Sequence, residues 1–281
     1  MTYRRGGWPR DARSARLSDG PDEVHRTLVA QRMLADPYGG MPGRAGPGRA
    51  VSGCAHHLGL APHHDRGERM GNEVDENRWL QKIRDDPGHS AWYVERFRTM
   101  AAAGDDLAGE ARLIDAMVPR GSRVLDAGCG PGRVGAFLAD AGHEVIGVDI
   151  DPALIAAAEE DHPGPVWLVD DLATLDLSTR GIDEGFDAIV CAGNVMTFLA
   201  PGTRGQVLQR LRAHLRPGGR VVVGFSTQRG YDVDEFRDHV DAAGLVPDLL
   251  LSTWSLDPYR DDAGFLVAIL RSAEDVAPRQ E

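Results

Sequence analysis

The sequence predicts an α/β protein built on a doubly wound, mostly parallel sheet. Three observations carry this reading. Apolar strand-like runs alternate with helical segments from about residue 121 onward. The first such run passes into VLDAGCGPGRVG, which sets Gly128, Gly130 and Gly132 at alternate positions before a helix. The last two apolar runs follow one another with only a polar turn between them. Alternating strands and helices bury a parallel sheet under helices on both faces. Two strands without a crossover helix pair antiparallel as a hairpin. Glycine costs backbone entropy, so three in one turn imply a tight bend that something approaches closely.

Taken in order, ENRWLQKIRDD reads as a short helix stopped before Pro87. HSAWYVERFRTMAAAG is a second helix, ended by Gly104, and DDLAGEARLIDAMV a third, ended before Pro119. RVLDAG is then a strand and GRVGAFLADAG a helix. EVIGVDI is a strand, followed by DPALIAAAEED, a helix with Asp151 as N-cap and Pro152 at its first position. PVWLVDD and FDAIVCAG are strands, and GTRGQVLQRLRAHL a helix stopped by Pro217-Gly218-Gly219. RVVVGFS is a strand and DVDEFRDHVDAAG a helix, and DLLLSTWSL with GFLVAILRS forms the closing hairpin. That makes five parallel strands plus a hairpin.

The 281 residues carry a formal charge of −12, which argues against an electrostatic grip on phosphate backbones. Nucleic acid is therefore not expected as a partner. The charge is uneven: residues 1–69 hold eleven Arg against seven Asp or Glu, with eleven Gly and six Pro. Such a segment lacks the apolar content to offset the entropy of ordering and is expected to be disordered. Met70 follows it, and the segment reads equally well as translated upstream sequence outside the native protein. It contains Cys54, His56, His57, His63, His64 and Asp65, whose spacing fits no standard metal site, so no metal is expected. Three cysteines in no disulfide or zinc pattern point to a reducing, cytoplasmic compartment. Arg4-Arg5 is followed by no apolar stretch of export-signal length, and no run is long enough to span a membrane. The expected organisation is an extension over 1–69, a helical lid over 70–120, a core over 121–273 and a flexible tail over 274–281.

In a doubly wound sheet, ligands bind at the carboxyl ends of the strands, where the glycine turn lies. Dinucleotides and S-adenosylmethionine both use that place, and the glycines alone do not separate them. Asp149, which ends the second strand nineteen residues after Gly130, suits the hydroxyls of a ribose and so points to an adenosine, with Ile150 beside it. The third strand ends in Asp170-Asp171, followed by Leu172, where an acceptor suits an adenine amino group. Gly193 and Asn194 follow the fourth strand at the mouth of the site.

In combination these residues resemble the class I S-adenosylmethionine-dependent methyltransferases. The resemblance rests on Asp126-x-Gly128-x-Gly130-x-Gly132, Asp149, DLATLDL from Asp171, FDAIVCAGN, and LRPGGRVVV before the hairpin, and covers about residues 76–272. It implies seven strands ordered 3-2-1-4-5-7-6 with the last antiparallel. It also implies that Gly128 and Gly130 line the methionine tail, Asp126 orients the turn near the cofactor's amino group, Asp149 binds the ribose, and Asp171 meets the adenine with Leu172 packing beside it. A nicotinamide-dependent oxidoreductase shares the first three elements, but the closing hairpin argues against it. A non-catalytic cofactor-binding module is a further alternative.

Methyl transfer is an in-line displacement that needs chiefly alignment of nucleophile and methyl, so the resemblance names no base and leaves O and N acceptors open. The D/N-P-P-Y/F motif of amino-methylating DNA and glutamine enzymes is absent, since AGNV stands in its place. Cys191 lies inside an apolar strand and reads as core. A small-molecule acceptor is expected, with a protein side chain as the next choice. His89, Trp92, Tyr93, Arg96, Phe97 and Met100 share one face of the second helix, which reads as the lid. On it Arg96 and Tyr93 are expected to take the cofactor's carboxylate, Arg133 pointing to solvent, and His89 to take the acceptor's proton.

Overall fold

The computed structural model describes residues 75–276. The expectations for 1–69, including its Cys–His cluster, and for the last residues of the tail lie outside the described residues. Three helices come first: α1 (Arg78–Asp85), α2 (His89–Ala102) and α3 (Gly109–Met117). Asn77 caps α1, its side chain accepting from the Trp79 and Leu80 amides. The core then runs β1 (Arg123–Ala127), α4 (Arg133–Asp140), β2 (Glu144–Asp149), α5 (Pro152–Asp161), β3 (Val166–Val169) and β4 (Phe186–Cys191). It continues with α6 (Val195–Phe198), α7 (Arg204–Ala213), β5 (Leu215–Ser226), α8 (Val233–Ala242), β6 (Leu245–Leu251), β7 (Phe265–Ser272) and α9 (Ala273–Val276).

The sheet order is β3-β2-β1-β4-β5-β7-β6, as the resemblance implied. The pairs β1–β2, β1–β4, β2–β3 and β4–β5 are parallel, and β7 runs antiparallel to both β5 and β6. The antiparallel β7 inserted between β5 and β6 is the closing hairpin that argues against the nicotinamide reading.

Side chains alternate across the sheet. Leu125 and Ala127 of β1 join a large core with Val207, Leu208 and Leu211 of α7 and Phe236 and Val240 of α8. Asp126, between them, faces the other side, where its carboxylate meets the start of α4. On that side Trp167 of β3 packs with Cys129, Ile155 and Ala158. A Cβ on Gly147 of β2 would stand 2.2 Å from the Trp167 ring, and one on Gly135 of α4 2.8 Å. The indole therefore fits only because both are glycine.

Three boundaries differ most from the sequence reading; α3, expected from Asp105, starts at Gly109. Pro217-Gly218-Gly219 does not stop α7, which ends at Ala213; Leu215 already pairs with Phe186. The Pro-Gly-Gly is an excursion inside the first turn of pairing, before Arg220 meets Ala188, with Gly218 at φ +79°. The strand expected over 248–256 is β6, which starts at Leu245 and ends at Leu251. Pro247 is tolerated because β6 is the sheet edge, with a register shift between Pro247 and Leu249.

Candidate active site

The carboxyl ends of β1, β2 and β4 meet at the glycine turn. Gly128, Gly130 and Gly132 all have left-handed backbone, at φ +80°, +55° and +86°, a region L side chains rarely adopt. Their surroundings differ. A Cβ on Gly128 would lie 2.3 Å from Val195 Cγ2, and one on Gly132 2.9 Å from Trp167 and 3.0 Å from Ala158. A Cβ on Gly130 would meet only the edge of Tyr93, at 3.7 Å. The expectation that all three glycines serve a ligand is thus narrowed: two are required by the protein's own packing, and Gly130, itself buried, has room for a Cβ that would touch only the Tyr93 ring.

Three aspartates surround this turn and all are buried. Asp126 accepts the Gly135 N–H at 2.9 Å, and burial pushes its carboxyl up to about 7. Asp149 accepts from the Gly130 amide through Oδ2 and from the Asp151 amide through Oδ1, each at 2.9 Å. Burial raises it to about 6 against those hydrogen bonds. A carboxylate offers about four lone-pair sites, so Asp149 retains acceptor capacity. Ile150 follows it, half-buried.

Asp151 caps α5 through the Ala153 amide, as expected, and does more. Its Oδ2 accepts the indole N–H of Trp79 at 2.9 Å and the hydroxyl of Ser90. This contact from α1 and α2 to the end of β2 was missed in the sequence. The only signal for it was a tryptophan and a serine on buried helical positions ahead of the fold.

Beyond β3, Asp170 is held by Arg180 at 2.8 Å, whereas Asp171 accepts only the Ala173 amide, at 2.9 Å, through Oδ1. The other oxygen of Asp171 has no protein partner among the described residues. The Leu172 side chain belongs to the central core. After β4, Gly193 is exposed at φ +65° with nothing within 4 Å of an added Cβ. Asn194 does not present its amide to the mouth: it is buried, and its oxygen accepts the Ser226 N–H at the end of β5, at 2.7 Å.

On α2, His89 lies between Trp79 and Trp92, with ring centroids at 5.2 and 5.4 Å. Burial and then the charge of Lys82 lower its pKa, so the imidazole is neutral at neutral pH. Tyr93 stands edge-on to Trp79 and to Phe97, and burial raises its hydroxyl pKa. The Arg96 guanidinium lies 5.7 Å from the Trp92 centroid. Arg133 does not point to solvent. It turns inward, bonds the Leu107 carbonyl at 2.7 Å, forms a two-oxygen ion pair with Glu110 and lies 5.6 Å from the Phe97 ring. Glu110, in the first turn of α3, supplied a partner that the local motif did not show.

The site fits an S-adenosyl cofactor on these observations: an open glycine cradle at Gly130, a buried strand-end carboxylate with acceptor capacity, and an unfilled carboxylate oxygen on Asp171. Among the described residues there is no cluster of His, Cys, Asp and Glu able to hold a metal, and no helix long and apolar enough to cross a membrane.

Fold and site together define a class I methyltransferase architecture, and comparisons with known proteins agree. Residues 124–219 match the methyltransferase domain family. A demethylmenaquinone methyltransferase of Beutenbergia cavernae is 32% identical over 201 residues, covering 60% of this chain and 81% of that protein. An uncharacterised methyltransferase of Mycobacterium bovis is 40% identical over 114 residues, 40% of this chain and 54% of that protein, so the chain spans about half the length of such relatives. The crystal structure of a TehB-like S-adenosylmethionine-dependent methyltransferase from Corynebacterium glutamicum superposes with a TM-score of 0.63 at 44% identity, covering 66% of this chain and all (100%) of that one. The chain belongs to the class I S-adenosylmethionine-dependent methyltransferases.

Proposed function

We propose that the protein transfers the methyl group of S-adenosylmethionine to an oxygen or nitrogen of a small molecule. The single observation that carries this is Gly130, whose missing side chain opens a cradle between the Asp149 carboxylate and the Tyr93 ring. The bound cofactor supplies an activated methyl on a good neutral leaving group. Asp149 holds the ribose hydroxyls through its remaining lone pairs. Asp171 accepts from the adenine amino group, with Ile150 bounding the ring; Leu172, whose side chain lies in the core, is left out of this role. Asp126 balances the cofactor's ammonium, next to the main chain of Gly128, Gly130 and Gly132. Arg96, on the same face of α2 as Tyr93, meets the methionine carboxylate together with the Tyr93 hydroxyl.

α1 and α2 form the lid in this reading. His89, neutral and set among aromatic rings, takes the acceptor's proton where the nucleophile carries one. Gly193 and Asn194 border the acceptor side, the latter by fixing the end of β5. The acidic chain favours a small molecule over nucleic acid. Among relatives, the demethylmenaquinone methyltransferase is named for a small-molecule acceptor. Calorimetry with S-adenosylmethionine, S-adenosylhomocysteine and NAD in parallel tests the cofactor. Binding of the first two and not the third is expected, and NAD binding alone would overturn the reading. Labelled cofactor over fractionated metabolites then tests the acceptor class: label recovered only on protein would refute the small-molecule assignment.

A further inference from the structure

Asp151 links the end of β2 to the helices that precede the sheet. Its main-chain N–H is one of the two donors that fix the Asp149 carboxylate, at 2.9 Å. Its side chain caps α5 with one oxygen and holds α1 and α2 with the other, through Trp79 and Ser90. It is 2% exposed with the helices in place, so its contacts to Trp79 and Ser90 are shielded from water in the docked state. The helix that supplies Ser90 also supplies Tyr93, whose ring covers Gly130. A ligand in that cradle therefore lies beneath α2, and α2 must lift for it to pass.

We infer that Asp151 couples cofactor binding to the docking of α1 and α2, acting as a positioning residue for Asp149. When the helices dock, the Trp79 and Ser90 donors fix the Asp151 side chain. That fixes the peptide that orients Asp149 toward the ribose. Binding at one end and docking at the other then favour each other by the same factor. The helices also touch the opposite rim. Asp75 accepts the Gly202 N–H at 2.9 Å and Arg78 donates to the Arg229 carbonyl at 3.0 Å, so docking closes the site from both sides.

This rests on the reading of the glycine turn as the cofactor site, and the test separates the two. Hydrogen exchange over residues 78–102 is measured in the full chain with and without S-adenosylhomocysteine, and its affinity is measured by calorimetry in a Trp79→Phe/Ser90→Ala variant. Phenylalanine keeps an aromatic ring among His89, Tyr93 and Phe198 and removes the N–H together with part of the indole's volume, so Ser90→Ala alone is measured beside it, removing a donor with little change of packing. The ligand is expected to slow exchange in α1 and α2 of the parent at least fivefold. The variant is expected to bind at least fivefold more weakly and to lose that protection. Unchanged exchange in the parent on binding, or parental affinity in the folded variant, overturns the coupling while leaving the site reading intact. Should the variant not fold, the parent's exchange decides alone. If the parent does not bind the ligand, or Asp149→Ala binds it as tightly, the site reading fails and the coupling falls with it.

Discussion

The rim above β1 and β2 and the rim above β4 and β5 are built in opposite ways. In the first, main-chain amides hold each functional carboxylate: Gly135 holds Asp126, and Gly130 and Asp151 hold Asp149. In the second, Gly193 is exposed and Asn194 is turned inward onto β5. The neighbouring loop between β6 and β7 carries Leu256, left-handed at φ +70° and 57% exposed. Those amides belong to the glycine turn, to α4 and to the N-cap of α5, so they move only with the turn or a helix, and the first rim is held by the fold itself. The second rim, where the acceptor would approach, is a surface that loop sequence sets. A fixed reagent and a chosen acceptor call for those two solutions.

The contrast can be broken at its glycines. Gly128→Ala places a methyl 2.3 Å from Val195 at φ +80°, and both overpacking and backbone strain oppose it; a stability loss of about 3 kcal/mol or more is expected from thermal or denaturant unfolding. Gly193→Ala meets nothing within 4 Å and should cost only about 1 kcal/mol of left-handed backbone strain. Equal losses would show that the two rims are equally rigid.

The next effect is on affinity. Asp149→Ala should weaken S-adenosylhomocysteine binding by about 2–3 kcal/mol through loss of a charged acceptor. Because the carboxylate also accepts the buried Gly130 and Asp151 amides, its removal leaves those N–H groups unpaired and melting temperature should fall as well, so affinity is measured where the variant is folded. A smaller loss is expected for Arg96→Ala, about tenfold in dissociation constant, or about 1.4 kcal/mol. His89→Ala should leave that constant unchanged and lower turnover. If Arg96→Ala binds like the parent in calorimetry, α2 is a packing element and the carboxylate is met elsewhere.

The smallest effect sharpens the first rim alone. Asp126 and Asp149 are raised to about 7 and about 6, whereas unfolded carboxyls titrate near about 4. Between those values the folded protein holds protons that the unfolded chain has released. Their stabilising contribution is full below about pH 4 and is lost as pH rises through about 7. An ammonium beside Asp126 and hydroxyl donors on Asp149 favour the ionised forms. Cofactor binding between pH 6 and 7 should therefore release protons, read as binding enthalpies that vary with the ionisation heat of the buffer. Identical enthalpies in all buffers would remove the cofactor's amino group from Asp126.

The fold was legible because its signals are local and redundant. Apolar runs, Asp151 and Pro152 at a helix start, and glycines after β1 each report the same architecture. The left-handed turn was legible for the same reason. What was not legible depended on partners distant in sequence. Arg133 reads as a surface residue until Glu110 and the Leu107 carbonyl close around it. Asn194 reads as a rim residue until the Ser226 amide claims it. Trp79 and Ser90 carry no motif at all, and their role exists only once α1 and α2 lie against the end of β2. The roles of Gly128 and Gly132 likewise needed Val195 and Trp167, which no spacing rule links to them.

The Trp167 ring has a consequence for how this chain can change over time. It occupies the space that methyl groups at Gly132, Gly135 and Gly147 would fill, so those positions cannot drift one by one. Any larger residue there must wait until the indole has been lost. After that, Gly135 and Gly147, which are not left-handed, would still meet Val145 and Cys129 at 3.1 Å and could gain side chains only as those give way, while Gly132 stays bound by its own dihedral angle of +86°. The order of steps is thus prescribed, ring before methyls, and a lineage that took the second step would find the way back to tryptophan closed.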